Sequence, residues 1–342
     1  MTSFATIFSS LLFTTLAFLT FSCSSQLIFP IGKDPITNLF YTSLGIGTPQ
    51  HNFNLLIDLG GPILWYECNN NYISSTYNPL PCNTKLCPSK IQCTVCNGPL
   101  KSPGCTNNTC DTAVDNPLDV TSFAGEIGDD VLFISHSKVL GLFSGCTNSD
   151  EFSTDFPLVK DFPKAKGVFG LGRTQFALPT QLSHKLPHKF SLCLPSSNKN
   201  GLGSIIIGSS IPHQKVQLTT TPLIINPVST ARSFSLGEAS YEYFIDVKSI
   251  KVGGEILNFK SSLLSIDNKG NGGTKISTLN SSTLLHSSIY KPLVKDFIKK
   301  ATSKNIKKVA SMALFGACFD LSTIGRTNTG LDVPTIDLVL QV

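Results

Sequence analysis

The chain follows one short plan twice. "FYTSLGIGTP" (Phe40–Pro49) leads into "NFNLLIDLGG" (Asn52–Gly61), and "SYEYFIDVKSIKVGGEIL" (Ser240–Leu257) leads into "GGTKISTLNSSTLL" (Gly272–Leu285). Each begins with apolar and polar residues in near alternation, the pattern of a half-buried strand. Each ends in a glycine-flanked segment, and Gly253-Gly254 reads as a hairpin turn. A weak internal repeat of this kind predicts two β-rich lobes whose glycine-flanked segments face each other across a cleft. The 342 residues suffice for two such lobes. The 26 Gly and 20 Pro fit many short strands and turns, and sustained helical periodicity is rare.

A Pro/Thr/Ser-rich stretch, Thr220–Phe234, marks the expected boundary. The domains are therefore read as 26–220 and 221–342, preceded by a leader at 1–25. That leader, "MTSFATIFSSLLFTTLAFLTFSCSS", has no charged side chain, an apolar run at Leu11–Phe21 and then small residues. It reads as a secretory signal cleaved after Ser24 or Ser25, although a basic residue near the start is missing. The run is short for a bilayer span, so no membrane attachment is expected. Secretion places the mature chain outside the cell.

Cysteine usage agrees with an oxidising compartment. Of eleven cysteines, seven (Cys68, Cys82, Cys87, Cys93, Cys96, Cys105, Cys110) crowd into one stretch. A disulfide framework is the expected reading. "CTVC" at Cys93–Cys96 has no histidine nearby to favour zinc, so neither metal nor cofactor is expected. Asn107-Asn108-Thr109 and Asn280-Ser281-Ser282 are acceptor sequons, making Asn107 and Asn280 candidate glycosylation sites. The second falls in a segment that reads as buried.

The net charge of +5 is concentrated in "YKPLVKDFIKKATSKNIKKVA" (Tyr290–Ala310). Its apolar stripe, Val294, Phe297, Ile298 and Ala301, predicts an amphipathic helix with lysines on the wet face. No basic, aromatic-studded stretch indicates a nucleic-acid partner. Serine-hydrolase, zinc-protease and phosphate-loop motifs are absent. Asp129-Asp130 is adjacent on a strand, so its carboxylates point to opposite faces; it reads as solvated charge.

In order along the chain, "FYTSLGIGTP", "LLIDLGGPILWYEC", "SSTYNPLPC", "GVFGLGRTQFALPTQLS", "KFSLCLPSS" and "GGTKISTLNSSTLLHSSIY" resemble the pepsin-like aspartic proteases. "DLGG", "GGTKIST" and "FGACFDLSTIGRTNTGLDVPTIDLVLQ" look specific to a plant branch, that of basic 7S globulin, extracellular dermal glycoprotein and the wheat-type xylanase inhibitors. The resemblance covers nearly all of the chain after the leader. It implies a mainly β, bilobal pepsin-like fold with a central cleft. It also implies an incomplete second lobe, because the sequence ends at "TIDLVLQV" where the family continues. Cys193 and Cys318 would find their partners in that continuation, and Cys68–Cys110 with Cys146 would form four bridges among themselves.

The resemblance also defines a test of chemistry. Peptide hydrolysis on this fold needs two carboxylates, one per lobe, sharing a proton so that one is acid and the other base. Asp58 supplies the first. The second position reads Ser277, whose hydroxyl does not titrate in the working range. Asp58 is thereby expected to be a lone carboxylate, ionised above its ordinary pKa and retained to bind backbone N–H groups of its turn. Other support reads as lost: Leu59 where the family has threonine, Gly61 where it has serine, Leu279 where it has glycine, and Phe123 near where it has a flap tyrosine. Peptidase activity is not expected.

Branch members imply instead a secreted extracellular binder, in the apoplast or cell wall. It would inhibit a secreted glycoside hydrolase, either a xylanase or an endo-β-glucanase. An active aspartic endopeptidase and a storage or ligand-binding glycoprotein are the alternatives. Arg326, in "LSTIGRTNTGLD", is the candidate contact, since guanidinium pairs bidentately with the carboxylates of a glycosidase cleft.

Overall fold

Side chains of the strand His51–Asp58 point alternately to two faces, and its apolar run "LLI" is buried on both. Leu55 and Ile57 enter one apolar layer with Leu44, Tyr66, Phe169 and Ile205. Leu56 enters another with Trp65, Val168, Phe123 and Ile127. All three strand residues are fully buried, and each such burial contributes about 1.5–3 kcal/mol. A computed structural model describes residues 26–68, 72–82, 84–87, 93–94 (backbone only), 108–119, 121–134, 137–147, 165–197, 203–209, 219–230, 237–312, 315–328 and 330–341.

The first lobe is a twelve-stranded sheet whose path runs from Phe190–Cys193 at one end to Cys93–Thr94 at the other, with Leu27–Lys33 paired to Gly203–Ile207. Most neighbours are antiparallel. The decisive pairing is parallel: Ala165–Gly170 lies beside His51–Asp58 with Gly170 opposite Asp58. The loops that follow these strands, 59–61 and 171–173, therefore emerge side by side. Leu171 N–H donates to the Asp58 carbonyl (2.9 Å) and Gly172 N–H to that of Gly61 (2.8 Å). A Cβ on Gly61 would stand 2.8 Å from Gly170 Cα, so this crossing requires glycine.

Two bridges pin the lobe, Cys68–Cys146 (Cα–Cα 5.5 Å) and Cys87–Cys110 (5.7 Å). Cys82 is also disulfide-bonded. Cys96, Cys105 and the Cys93 side chain lie outside the described residues, as does Asn107. Cys193 and Cys318 are free thiols.

Asp129-Asp130 departs from the sequence expectation. The two side chains do take opposite faces, but Asp130 is buried rather than solvated. It accepts from Tyr72 Oη and Thr76 Oγ1, both at 2.6 Å. These donors compensate the charge that burial would otherwise disfavour. Asp129 accepts from Asn78 at the surface (2.9 Å).

The second lobe has its own core, built from Val247, Ile250, Val252, Leu257, Leu264, Ile289 and Leu293. Val247–Val252 is the central strand, between Glu255–Ile256 and Ile336–Leu340. Gly253 and Gly254, both at positive φ, make the expected turn. The lysine-rich helix spans Ser287–Ser303, starting and ending earlier than its lysine run. His286 caps it, with Nδ1 accepting from Ser288 N–H (3.2 Å). Ile289, Leu293 and Ala301 face inward, and Lys291, Lys295 and Lys299 are exposed. No described helix is long and apolar enough to cross a membrane.

Candidate functional site

Asp58 is the last residue of its strand, and the chain turns at once. Its Oδ1 accepts from Gly60 N–H at 2.8 Å. Ser277 does the same in the other lobe, its Oγ accepting from Leu279 N–H at 3.2 Å. Each side chain thus ties the N–H two residues ahead. The serine preserves the turn and removes the ionisable group.

The lobes meet through these loops. Thr278, 2% exposed, donates from Oγ1 to the Ile57 carbonyl (2.6 Å) and accepts from Leu59 N–H (3.2 Å). The inter-lobe support that the sequence suggested was lost is therefore half retained. Leu59 lacks the reciprocal hydroxyl and packs into the first lobe's core.

A second tie was not anticipated. Arg173, just after "GLG", donates through Nη2 to the carbonyls of Ser240 (3.0 Å) and Glu242 (2.7 Å) and through Nε to Tyr241 (3.4 Å). Its guanidinium lies 5.7 Å from the Tyr243 ring centroid, and Tyr243 Oη donates to the Leu171 carbonyl (2.8 Å). The signal in the sequence was an arginine in an otherwise glycine-rich loop, but its carbonyl partners lie nearly seventy residues away.

Between the loops lies a cavity of about 310 Å³. Asp58, Ser277, Leu279, Trp65, Glu242 and Lys275 line it from below. Above hangs the hairpin formed by Thr109–Asp115 and Ser122–Ile134, whose tip contributes Asn116, Pro117, Asp119 and Thr121. The sequence assigned Phe123 to the flap region. Phe123 is instead buried, 6.0 Å from the Trp65 ring centroid, and no aromatic of the hairpin enters the cavity wall.

Asp58 is neither alone nor ordinarily acidic. It is 7% exposed, and burial lifts its pKa from 3.8 to about 6. The Gly60 N–H and Lys275 hold it back, while Glu242 pushes it further up. A methyl placed on Gly60 would lie 3.3 Å from Glu242 Oε1 and 3.5 Å from Asp58 Oδ1, so both carboxylates approach one point. Glu242 is held by Lys275 at 2.6 Å. The lysine pairs with the acid whose charge acts on Asp58, whereas aspartic-protease chemistry needs a second carboxylate that shares Asp58's proton.

Other expected residues fall elsewhere. Arg326 is exposed on the short hairpin Arg326–Thr327/Gly330–Leu331 and does not line the cavity. Asn280 is exposed, against the expectation of burial, because the segment after Lys275 leaves the sheet before reaching it. Among the described residues no group of His, Cys, Asp and Glu is arranged to hold a metal ion.

Two β-rich parts joined across a cleft by paired turn loops define the bilobal aspartic-protease architecture. Within it, the family domain described as "Xylanase inhibitor N-terminal" matches residues 40–209 and "Xylanase inhibitor C-terminal" matches 242–342. The chain belongs to this family. It is 42% identical to the "Probable aspartic proteinase GIP2" of Nicotiana benthamiana, over 92% of this chain and 74% of that protein. The crystal structure described as edgp superposes with a TM-score of 0.83 at 40% identity, covering 93% of this chain and 80% of that one. That of basic 7S globulin from soybean gives 0.74 at 29% identity, with coverages of 93% and 80%.

Proposed function

We propose that the chain is a secreted, extracellular protein that does not cleave peptides and that binds and inhibits a cell-wall glycoside hydrolase, a xylanase or an endo-β-glucanase. The observation that carries the reading is Ser277 in the cleft loop facing Asp58, with the neighbouring Glu242 already paired to Lys275. A water between the two turn loops would find a carboxylate on one loop, Asp58, and a hydroxyl on the other, where the chemistry needs an acid from each. The family domains are described by xylanase inhibition, which supports a glycanase as partner.

In this reading the cleft is scaffold and the binding groups stand on surface loops. Arg326 is such a group: exposed, on a hairpin, and able to form a bidentate pair with a glycosidase carboxylate. A storage or ligand-binding role is the competing reading, favoured by the likeness to basic 7S globulin.

The test uses the purified secreted protein. With a denatured protein substrate at acid pH, no pepstatin-sensitive cleavage is expected; such cleavage overturns the non-catalytic assignment. Against a panel of secreted xylanases and endoglucanases, dose-dependent loss of activity of at least one is expected, and Arg326→Ala should relieve it. Full activity of every enzyme in the panel would favour storage or ligand binding.

A further inference from the structure

We propose that Asn280 carries an N-linked glycan and that this glycan closes the mouth of the cleft against polypeptide strands. The proposal rests on the secreted reading above, because only a chain entering the secretory path meets the modifying enzyme. Asn280-Ser281-Ser282 is an acceptor sequon without proline at its centre. All three residues are exposed. They lie in irregular backbone between the strand Thr274–Lys275 and the helix Ser287–Ser303, where a bulky surface group disturbs no ladder.

Position gives the modification its consequence. Leu279, the preceding residue, and Ser277, three before, both line the cavity. Consecutive Cα atoms are about 3.8 Å apart, so Asn280, which does not itself line the cavity, is anchored one residue beyond a lining residue, within reach of a branched glycan. The opposite rim is the hairpin tip with Asn116, Pro117 and Asp119. In the transfer, the Asn280 amide nitrogen forms a bond to C1 of the sugar of a polyprenyl-diphosphate oligosaccharide. The C1–O bond to the diphosphate breaks, the diphosphate leaves, and the amide proton is lost to base. The product is a branched hydrophilic group beside a cavity too small to enclose it. Access is then blocked independently of the chemistry lost at Ser277.

The experiment expresses the full chain in a eukaryotic secretory host. Removal of residues 1–25 is read from the mature N-terminus. Peptide mapping in heavy-isotope water after enzymatic deglycosylation should convert Asn280 to labelled Asp. Ser282→Ala, which keeps the asparagine, should lose one glycan mass. Cleft access is read by maleimide labelling of a Ser277→Cys variant, with the free thiols Cys193 and Cys318 followed on their own peptides as reference. Labelling should quicken by about an order of magnitude when Ser282→Ala is added, while the reference thiols are unchanged. A secreted, processed chain with unmodified Asn280 overturns the proposal, as does a glycan whose loss leaves labelling unchanged. A chain that keeps residues 1–25 and is not exported overturns the secretory reading itself, and the glycan with it.

Discussion

The two cleft loops have complementary deficits. Asp58-Leu59-Gly60 keeps the acid and lacks the hydroxyl that reaches across; Ser277-Thr278-Leu279 keeps that hydroxyl and lacks the acid. Both keep the turn, each closed by a side-chain oxygen accepting the N–H two residues on. What is common to the loops is thus geometry, and what differs is titration. The comparison teaches that a seam between the lobes can be kept when the second acid is replaced, because the seam and the acid pair use different atoms of neighbouring residues.

The comparison can be broken most severely away from both loops. Arg173→Ala removes charge-assisted hydrogen bonds to three carbonyls, each worth about 1.5–3 kcal/mol. With part of the guanidinium near solvent, a loss of about 4 kcal/mol is expected, and calorimetry should resolve two unfolding transitions where the parent shows one. A single transition at the parent temperature would mean that Arg173 does not hold the seam.

Next comes the titration that distinguishes the loops. The Asp58 pKa rises from 3.8 to about 6 on folding, and that of the buried Glu126, which accepts from Tyr77 Oη, rises from 4.5 to about 7. A raised carboxylate pKa means that the folded state binds the proton more tightly. The stabilisation is fully present below the unfolded pKa and is lost as pH rises through the folded one. Stability should therefore fall between about pH 4 and 7, by about 3 kcal/mol per group at about 1.36 kcal/mol per pKa unit. Asp58→Asn should flatten the lower part of that fall and Glu126→Gln the upper part in denaturant titrations. Unaltered slopes in both variants would exclude these two carboxylates as its source.

Thr278→Val sharpens the comparison from the other side. It keeps the shape and removes the acceptor of the Leu59 N–H and a donor to the Ile57 carbonyl, both in a buried seam, for a cost of about 2 kcal/mol. Chemical denaturation should register the loss; a change within error would show that water takes over both groups. The smallest effect is expected at Arg326. Exposed and outside the cleft, its replacement by alanine should move stability by no more than about 0.5 kcal/mol, so that any lost inhibition reports binding alone.

Much of the fold was legible from local pattern. The apolar run that ends in "LLID", the Gly253-Gly254 turn and the lysine-rich helix are set by side-chain period and backbone freedom, which act over a few residues. The site was legible only in part. Ser277 in the second acid's place is visible as a letter, and its consequence follows from hydroxyl chemistry. Thr278 was overlooked as a support because its partners, Ile57 and Leu59, lie in the other lobe. Asp130 resembled solvated charge because the hydroxyls of Tyr72 and Thr76 reach it only after the sheet has formed.

By itself, then, the sequence determined the two β-rich halves, the turn at each cleft loop and the absence of a second aspartate, since these depend on residue identity and short-range conformation. The tertiary structure alone decided which loop atoms carry the seam, that Arg173 clamps three carbonyls, and that Asp58 titrates near 6 beside an acid neutralised by Lys275. Those properties arise from burial and from hydrogen bonds between residues far apart in the chain. No local pattern encodes them, because desolvation and charge pairing exist only once the lobes have closed on each other.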